Sequence, residues 1–160
     1  MPIGICGEEV ILIAHRGNTS GPNPEMENNP QYIDKAINSD YNVEIDVRGC
    51  FKSGFFLGHD SPQYEVTFDW LHDRAEYLWI HAKDIQALYT FSQQTKGWNA
   101  FWHQEDEHTL TTGGFIWAYP GSILTPRSIC VMPENSIINY SEQDLQICIG
   151  ICSDFVRQYK

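Results

Sequence analysis

The chain has 160 residues, 42% of them hydrophobic and 13% aromatic, with a formal net charge of −11 at neutral pH. That length suits one domain, residues 1–160, with room for a proper core. The acidic balance argues against long nucleic acid or an anionic membrane surface as partner, and no run approaches the ~18 apolar residues of a membrane-spanning helix.

The segment Met1 to Glu9 has no basic stretch and meets acid early, so it does not read as a secretory leader. Five cysteines, Cys6, Cys50, Cys130, Cys148 and Cys152, lack the spacing of paired zinc ligands. Buried, reduced thiols in a cytoplasmic protein are the expectation. Two glycosylation sequons, at Asn18 and Asn139, mean little without a leader.

Val10 to Ala14 is an apolar run that reads as a buried strand, ending at His15-Arg16-Gly17. A loop rich in Gly, Pro and Asn follows, to Asn29. Asn28 or Asn29 can cap a helix with Pro30 in its first turn and Tyr32, Ile33, Ala36 and Ile37 as its apolar stripe. The next strand, Asn42 to Arg48, alternates strictly, so Glu44, Asp46 and Arg48 share one face and Val43, Ile45 and Val47 the other. This strand–helix–strand start predicts parallel pairing with a right-handed crossover.

Gly49 to Ser53 reads as a turn, and Phe55 to Leu57 as a short strand before His59-Asp60. A helix is expected over Thr67–Tyr77 with Phe68, Leu71 and Ala75 inward, then a strand at Leu78–Ala82. A second helix follows over about 84–94, with Ile85, Leu88 and Phe91 on one face. From Gly97 the helices thin out. Ala100–His103, Gly114–Tyr119 and Ile129–Met132 read as strands, Ser141 can open a short helix with Asp144 in a capping-box role, and Ile147–Cys152 is a last apolar run before Ser153-Asp154. The total is about seven strand candidates, three convincing helices and one short one.

The chemistry sits at strand ends. Two carboxylates on one strand face, Glu44 and Asp46, repel unless a cation lies between them, and hard oxygen ligands suit Mg²⁺ or Ca²⁺. A merely solvated strand face is the plain alternative. His15 and His59 end neighbouring strands and suit general acid–base work near neutral pH. Arg16 and Lys83 are natural phosphate clamps, or else ordinary ion-pair partners of the nearby carboxylates.

The ordered set His15-Arg16-Gly17, Glu27-Asn28-Asn29, Glu44-Ile45-Asp46-Val47 and His59-Asp60, with Lys83 ending a strand, resembles the glycerophosphodiester phosphodiesterase family of the phospholipase C-like phosphodiesterases. The resemblance spans roughly residues 10–84, with Trp117 and Ile151–Phe155 as weaker echoes. It implies a (β/α)₈ barrel, which usually takes about 250 residues. This chain is too short for eight full units, so the expected fold is α/β, a reduced, helix-depleted (β/α) TIM-type barrel, with a partly open barrel as the alternative. It further implies Glu27 as a third metal ligand, though Glu25 is close enough to compete. It makes one of His15 and His59 the base and the other the acid, without saying which.

One position departs from the family pattern. His81 stands where a further metal-binding glutamate is usual, so the metal, the ligand number or the role of this residue changes. His103 and the acidic run Glu105-Asp106-Glu107 could supply the missing oxygen. Trp102, Trp117 and Tyr119 could wall a pocket or simply pack. The resulting expectation is a divalent-metal phosphodiester hydrolase acting on a glycerophosphodiester or similar small phosphodiester, with a non-catalytic phosphate- or metal-binding domain as the rival. Strands left without helical cover further suggest a homodimer through the C-terminal half.

Overall fold

Val10 to Ala14 lacks any helical periodicity, and it forms strand β1 (Ile11–His15). A computed structural model describes residues 9–50, 54–94 and 97–160. Cys6, the side chain of Cys50 and the 51–53 part of the expected turn lie outside the described residues. Gly49 and Cys50 themselves belong to a strand.

Asn29, not Asn28, caps helix α1 (Pro30–Ile37) by accepting from the amides of Gln31 and Tyr32. Such a cap is worth about 1 kcal/mol. The helix returns the chain to β2 (Asn42–Cys50), which pairs parallel with β1 as the crossover predicts. β3 (Gly54–Leu57) and β4 (Tyr64–Val66) form an antiparallel extension along β2, beyond the end of β1. α2 (Phe68–His72) is shorter than expected and leads to β5 (Leu78–Ala82), on the other edge of β2. Asp84 then does two jobs: it caps α3 (Ile85–Ser92), and it accepts the amide of Gly49 at the end of β2.

β6 (Asn99–Phe101) pairs parallel with β5. The remaining strands, β7 (His108–Leu110), β8 (Ile116–Ala118), β9 (Ser128–Val131) and β10 (Gly150–Ser153), complete a ten-stranded mixed sheet. Seven strands are parallel, in the order β6, β5, β2, β1, β10, β9, β8. β7 is antiparallel to β8. Helix α4 (Glu142–Leu145) carries the expected Ser141–Asp144 capping box. With two short 3₁₀ helices at Pro133–Asn135 and Val156–Tyr159, the helical content is small. The protein is therefore α/β, with a large mixed sheet and few helices. Among the described residues no helix is long and apolar enough to cross a membrane.

The period-2 pattern sorts side chains into two cores. Val43, Ile45 and Val47 of β2, with Leu78 and Ile80 of β5, face α1, α2 and α3. On the other face Ile13, Trp79, Phe101, Trp117, Ile129 and Cys152, from six strands, pack on one another. Strands far apart in pairing order touch there: the rings of Phe101 and Trp117 stack at 4.5 Å. Each such buried side chain contributes about 1.5–3 kcal/mol. A smaller cluster of Cys130, Leu145, Cys148 and Ile151 lies behind β9 and β10. The three described thiols, Cys130, Cys148 and Cys152, are buried and unpaired.

Further details differ from expectation, among them the bounds of β6, β8 and β10. Ile85 is 74% exposed, because it occupies the first helical position beside its cap, and Ala87 and Phe91 form the buried stripe instead. β4 and β7, three residues each, carry too short a pattern to be read in advance.

Candidate functional site

The strand that positions the site is β2. Its inward face carries Glu44 and Asp46, 3% and 0% exposed. Parallel pairing with β5 sets Asp46 opposite His81. His81 Nδ1 lies 3.3 Å from Asp46 Oδ1 and 3.8 Å from Glu44 Oε1. The other ring nitrogen, Nε2, donates to the carbonyl of His103 at 2.9 Å. In the neutral ring that bond fixes the tautomer and turns the Nδ1 lone pair toward the two carboxylates.

While His81 is neutral, three acceptors thus converge without a donor among them. Glu44 Oε2 and Asp46 Oδ1 are buried and have no hydrogen-bond partner. Buried oxygens are rarely left so. Glu44, Asp46 and His81 form the one group among the described residues whose ligand atoms all lie within 4.8 Å of one another. The donor set fits a divalent cation: two hard carboxylate oxygens with one imidazole nitrogen, which also admits softer ions such as Mn²⁺. Burial, and then the charge of Asp46, push the Glu44 carboxyl above its usual range. Burial would raise Asp46 too, but a protonated His81, whose Nδ1 then donates to it, and the Arg16 charge outweigh burial and hold that carboxyl well below the usual range. Both carboxylates ionise together at low cost only when more positive charge is present.

Glu27, the third ligand implied by the resemblance, is placed differently. Its two oxygens accept from Arg16 Nη1 at 3.1 Å and Asn18 Nδ2 at 2.9 Å. Glu25 is exposed on the loop, and its carbonyl accepts from the Tyr64 hydroxyl at 3.5 Å. Arg16 takes a left-handed backbone conformation, φ 53°, which brings its Nε within 3.1 Å of Asp46 Oδ2, although without the alignment of a hydrogen bond. Gly17 follows at φ 91°, and a Cβ there would stand 2.8 Å from the Tyr32 ring, so only glycine makes this turn. Lys83 Nζ is 3.8 Å from Asp46 Oδ1.

His15 is held by a residue from the far end of the chain. Its Nδ1 donates to Asp154 Oδ1 at 2.7 Å, which leaves Nε2 facing Glu44 at 3.9 Å. Burial opposes protonation of this ring, but the Asp154 bond and the Glu44 charge outweigh it, and the pKa lies above the usual histidine value. Asp154 shifts the other way: burial would raise it, while the His15 bond holds it low. His59 lines the same cleft from its rim, 39% exposed, with its Nδ1 bonded to the neighbouring Asp60 at 2.7 Å. Arg48, on the Glu44 face of β2, fixes the backbone there by donating to the carbonyls of Gly58 and His59.

Four residues act here that the sequence did not single out for these roles. Asn28 grips Asp46 twice, its Oδ1 accepting the Asp46 amide and its Nδ2 donating to Asp46 Oδ2, both at 2.9 Å. Asn18, fully buried, bridges Glu27 and Asp154, which also removes its sequon from solvent. Asp154 orients His15. Glu134 Oε1 accepts from Ser153 Oγ and the Asp154 amide, and so sets the end of β10. The strand-end position of Asp154 was a usable signal; Glu134, after a left-handed Met132, gave none.

His15, Arg16, Glu44, His59, His81 and Lys83 line an open cleft of about 860 Å³ at the carboxyl ends of the parallel strands, the usual place for a site in such sheets. His103 lies on its wall, its ring bonded to the Asp106 carbonyl, and Glu105, Asp106 and Glu107 are exposed. Trp117, though nearly buried, and Tyr119 both line the cleft, while Trp102, 38% exposed, is not among its lining residues. Comparison of the chain with protein-family models, with curated proteins and with solved structures found no match.

Proposed function

We propose that this protein is a divalent-metal phosphodiester hydrolase acting on a glycerophosphodiester or a similar small phosphodiester. One observation carries the reading: the buried carboxylates of Glu44 and Asp46, each with one oxygen that lacks a hydrogen-bond partner, converge with His81 Nδ1 beside an Asp154-held histidine and two cationic side chains. Glu44, Asp46 and His81 would hold Mg²⁺, Ca²⁺ or a similar ion. When bound, such an ion polarises a phosphoryl oxygen as a Lewis acid.

The chain's own groups do the rest. Arg16 and Lys83 offer positive charge to the phosphoryl oxygens, where transition-state charge grows. His15, which keeps its Nε2 proton readily because Asp154 and Glu44 favour the imidazolium, is the acid that protonates the leaving alkoxide. His59, at the open rim, is the base that takes the proton of the attacking hydroxyl or water.

The fold belongs to the same reading: a reduced (β/α) barrel whose seam runs between β6 and the turn after β7. Thr112 N donates to the carbonyl of Ala100 at 2.9 Å, and Ala100 N donates to Thr112 Oγ1 at 3.0 Å, which supports closure there. Buried, unpaired thiols favour a reducing, cytoplasmic setting. Self-association rests on a smaller surface than expected, with Leu110 and Ile123 67% and 79% exposed beside β7. Sedimentation velocity at micromolar protein tests it, and a clean monomer removes the homodimer from the reading.

A non-catalytic binding domain is the second reading, favoured by the exposure of His59 and its dependence on a single adjacent partner, Asp60. Release of a chromophore from bis(4-nitrophenyl) phosphate, with Mg²⁺, Ca²⁺ or Mn²⁺ against chelator, separates the two. Metal-dependent turnover is the expected result. Metal binding without turnover supports the binder, and absence of both overturns the site assignment.

A further inference from the structure

The cleft has two unlike walls. Every Arg, Lys and Glu that lines it, namely Arg16, Lys83 and Glu44, comes from the β1–β5 half. From the other half come the apolar Pro120, Val131, Met132, Ile137 and Ile138 with Tyr119. His103, Gln104 and Asn135 of that half are polar, but none is acidic or strongly basic. Met132 turns the chain out of β9 at φ 45°, and the 3₁₀ turn after it delivers the two isoleucines to the rim. There Ile137 is fully exposed and Ile138 58% exposed. A single exposed isoleucine is unremarkable, but two in sequence on the rim of a polar cleft form a surface that gains by being covered. At about 860 Å³ the cleft is also at the large end for a small-molecule site. A glycerol phosphate held at Arg16 and Lys83 occupies one side and leaves the apolar wall wet.

We propose that this second wall receives an apolar alcohol of the phosphodiester, a straight alkyl chain, with Ile137 and Ile138 as specificity-determining residues. The identity of the polar end rests on the phosphodiesterase reading; the apolar end rests on the wall itself. In hydrolysis the P–O bond to this alcohol breaks and a water oxygen bonds to phosphorus. One water proton passes to the base, the alkoxide takes one from the acid, and the alcohol and a phosphomonoester leave.

The test uses the full chain with methyl-, butyl- and octylphosphonate as non-hydrolysable probes, below their aggregation concentrations and with Mg²⁺ present. Calorimetry is expected to give octyl binding at least tenfold tighter than methyl, since each buried methylene is worth about fourfold. The double variant Ile137→Ser/Ile138→Ser should collapse that ratio toward one. Ile123→Ser, on the β7 surface outside the cleft, should keep it. Equal affinities across the wild-type series overturn the inference, as does a ratio that survives the double variant. Co-sedimentation with phosphatidylcholine vesicles that needs the isoleucines, without a chain-length ratio, assigns them to a lipid surface and also overturns it. Turnover of the methyl, butyl and octyl esters of glycerol phosphate is followed in parallel. Its absence in every member, with the binding ratio intact, removes the hydrolase reading and leaves the apolar wall standing.

Discussion

The two halves of the sheet solve the same packing problem in opposite ways. In residues 9–94 the outward side chains are large, Val43, Ile45, Leu78 and Ile80, and three helices cover them. In residues 97–160 the outward Ala118 and Cys130 are small and nearly fully buried, while Ala100 still packs under α3 and Ile151 under Leu145 of the short α4. The bulk has moved inward: Phe101, Trp117, Ile129 and Val131 fill the face that in β2 carries Glu44 and Asp46. A strand with a small outer side chain has little apolar area to lose, so a loop suffices as cover. Helix loss and outward small residues are therefore one change, although Leu110, Ile123, Ile137 and Ile138 of this half remain exposed. It also divides the cleft lining, with Arg16, Glu44 and Lys83 in the first half and most of the apolar wall in the second, although Asp154 from the second half holds His15.

Five substitutions and one change of metal condition break or sharpen that division. The largest effect belongs to the charged half: His15→Ala and His59→Ala should each lower turnover by about 10²–10⁴-fold, the usual range for acid–base catalysis, while metal binding survives. Steady-state rates read this directly, and near-normal turnover returns that histidine to a structural role. In the second half the cost falls on the fold instead. Trp117→Ala removes the ring that stacks on Phe101 and packs against Trp79 at 6.0 Å. It should cost about 3–5 kcal/mol in urea unfolding, and a loss under about 1 kcal/mol would mean the aromatic floor is dispensable.

Metal should stabilise through the first half alone. At a hundredfold excess over its dissociation constant a divalent ion adds about 2.7 kcal/mol, visible as a raised melting temperature against chelator. His81→Ala should abolish most of that gain, and identical melts in all conditions would remove the ion from the site. The smallest effect is Asn28→Ala, which strips Asp46 of two bonds and leaves its amide buried and unpaired. A loss of about 1–3 kcal/mol is expected, together with weaker metal binding. Retention of full metal affinity in this variant would show that Asp46 is positioned by the strand without help.

Much of the site was legible because period 2 is a local property. Alternation from Asn42 to Arg48 dictates that Glu44 and Asp46 share a face, whatever the rest of the chain does. Capping is local too, and Asn29, Asp84 and Ser141 act as their neighbours require. Apolar runs ending in His15 and in His81-Ala82-Lys83 likewise marked where chemistry meets the ends of strands.

Partner choice was not legible, because it depends on pairings that span the chain. His15 meets Asp154 across 139 residues only because β10 pairs with β1. His81 joins Glu44 and Asp46 because β5 lies in register with β2, and Glu27 turns to Arg16 and Asn18 because the loop folds back over the strand ends. Local sequence determined which groups point inward. The register of parallel strands and the path of the loops decided which of those groups meet, since a hydrogen bond or a metal site needs atoms within a few ångströms, and only the assembled sheet supplies that.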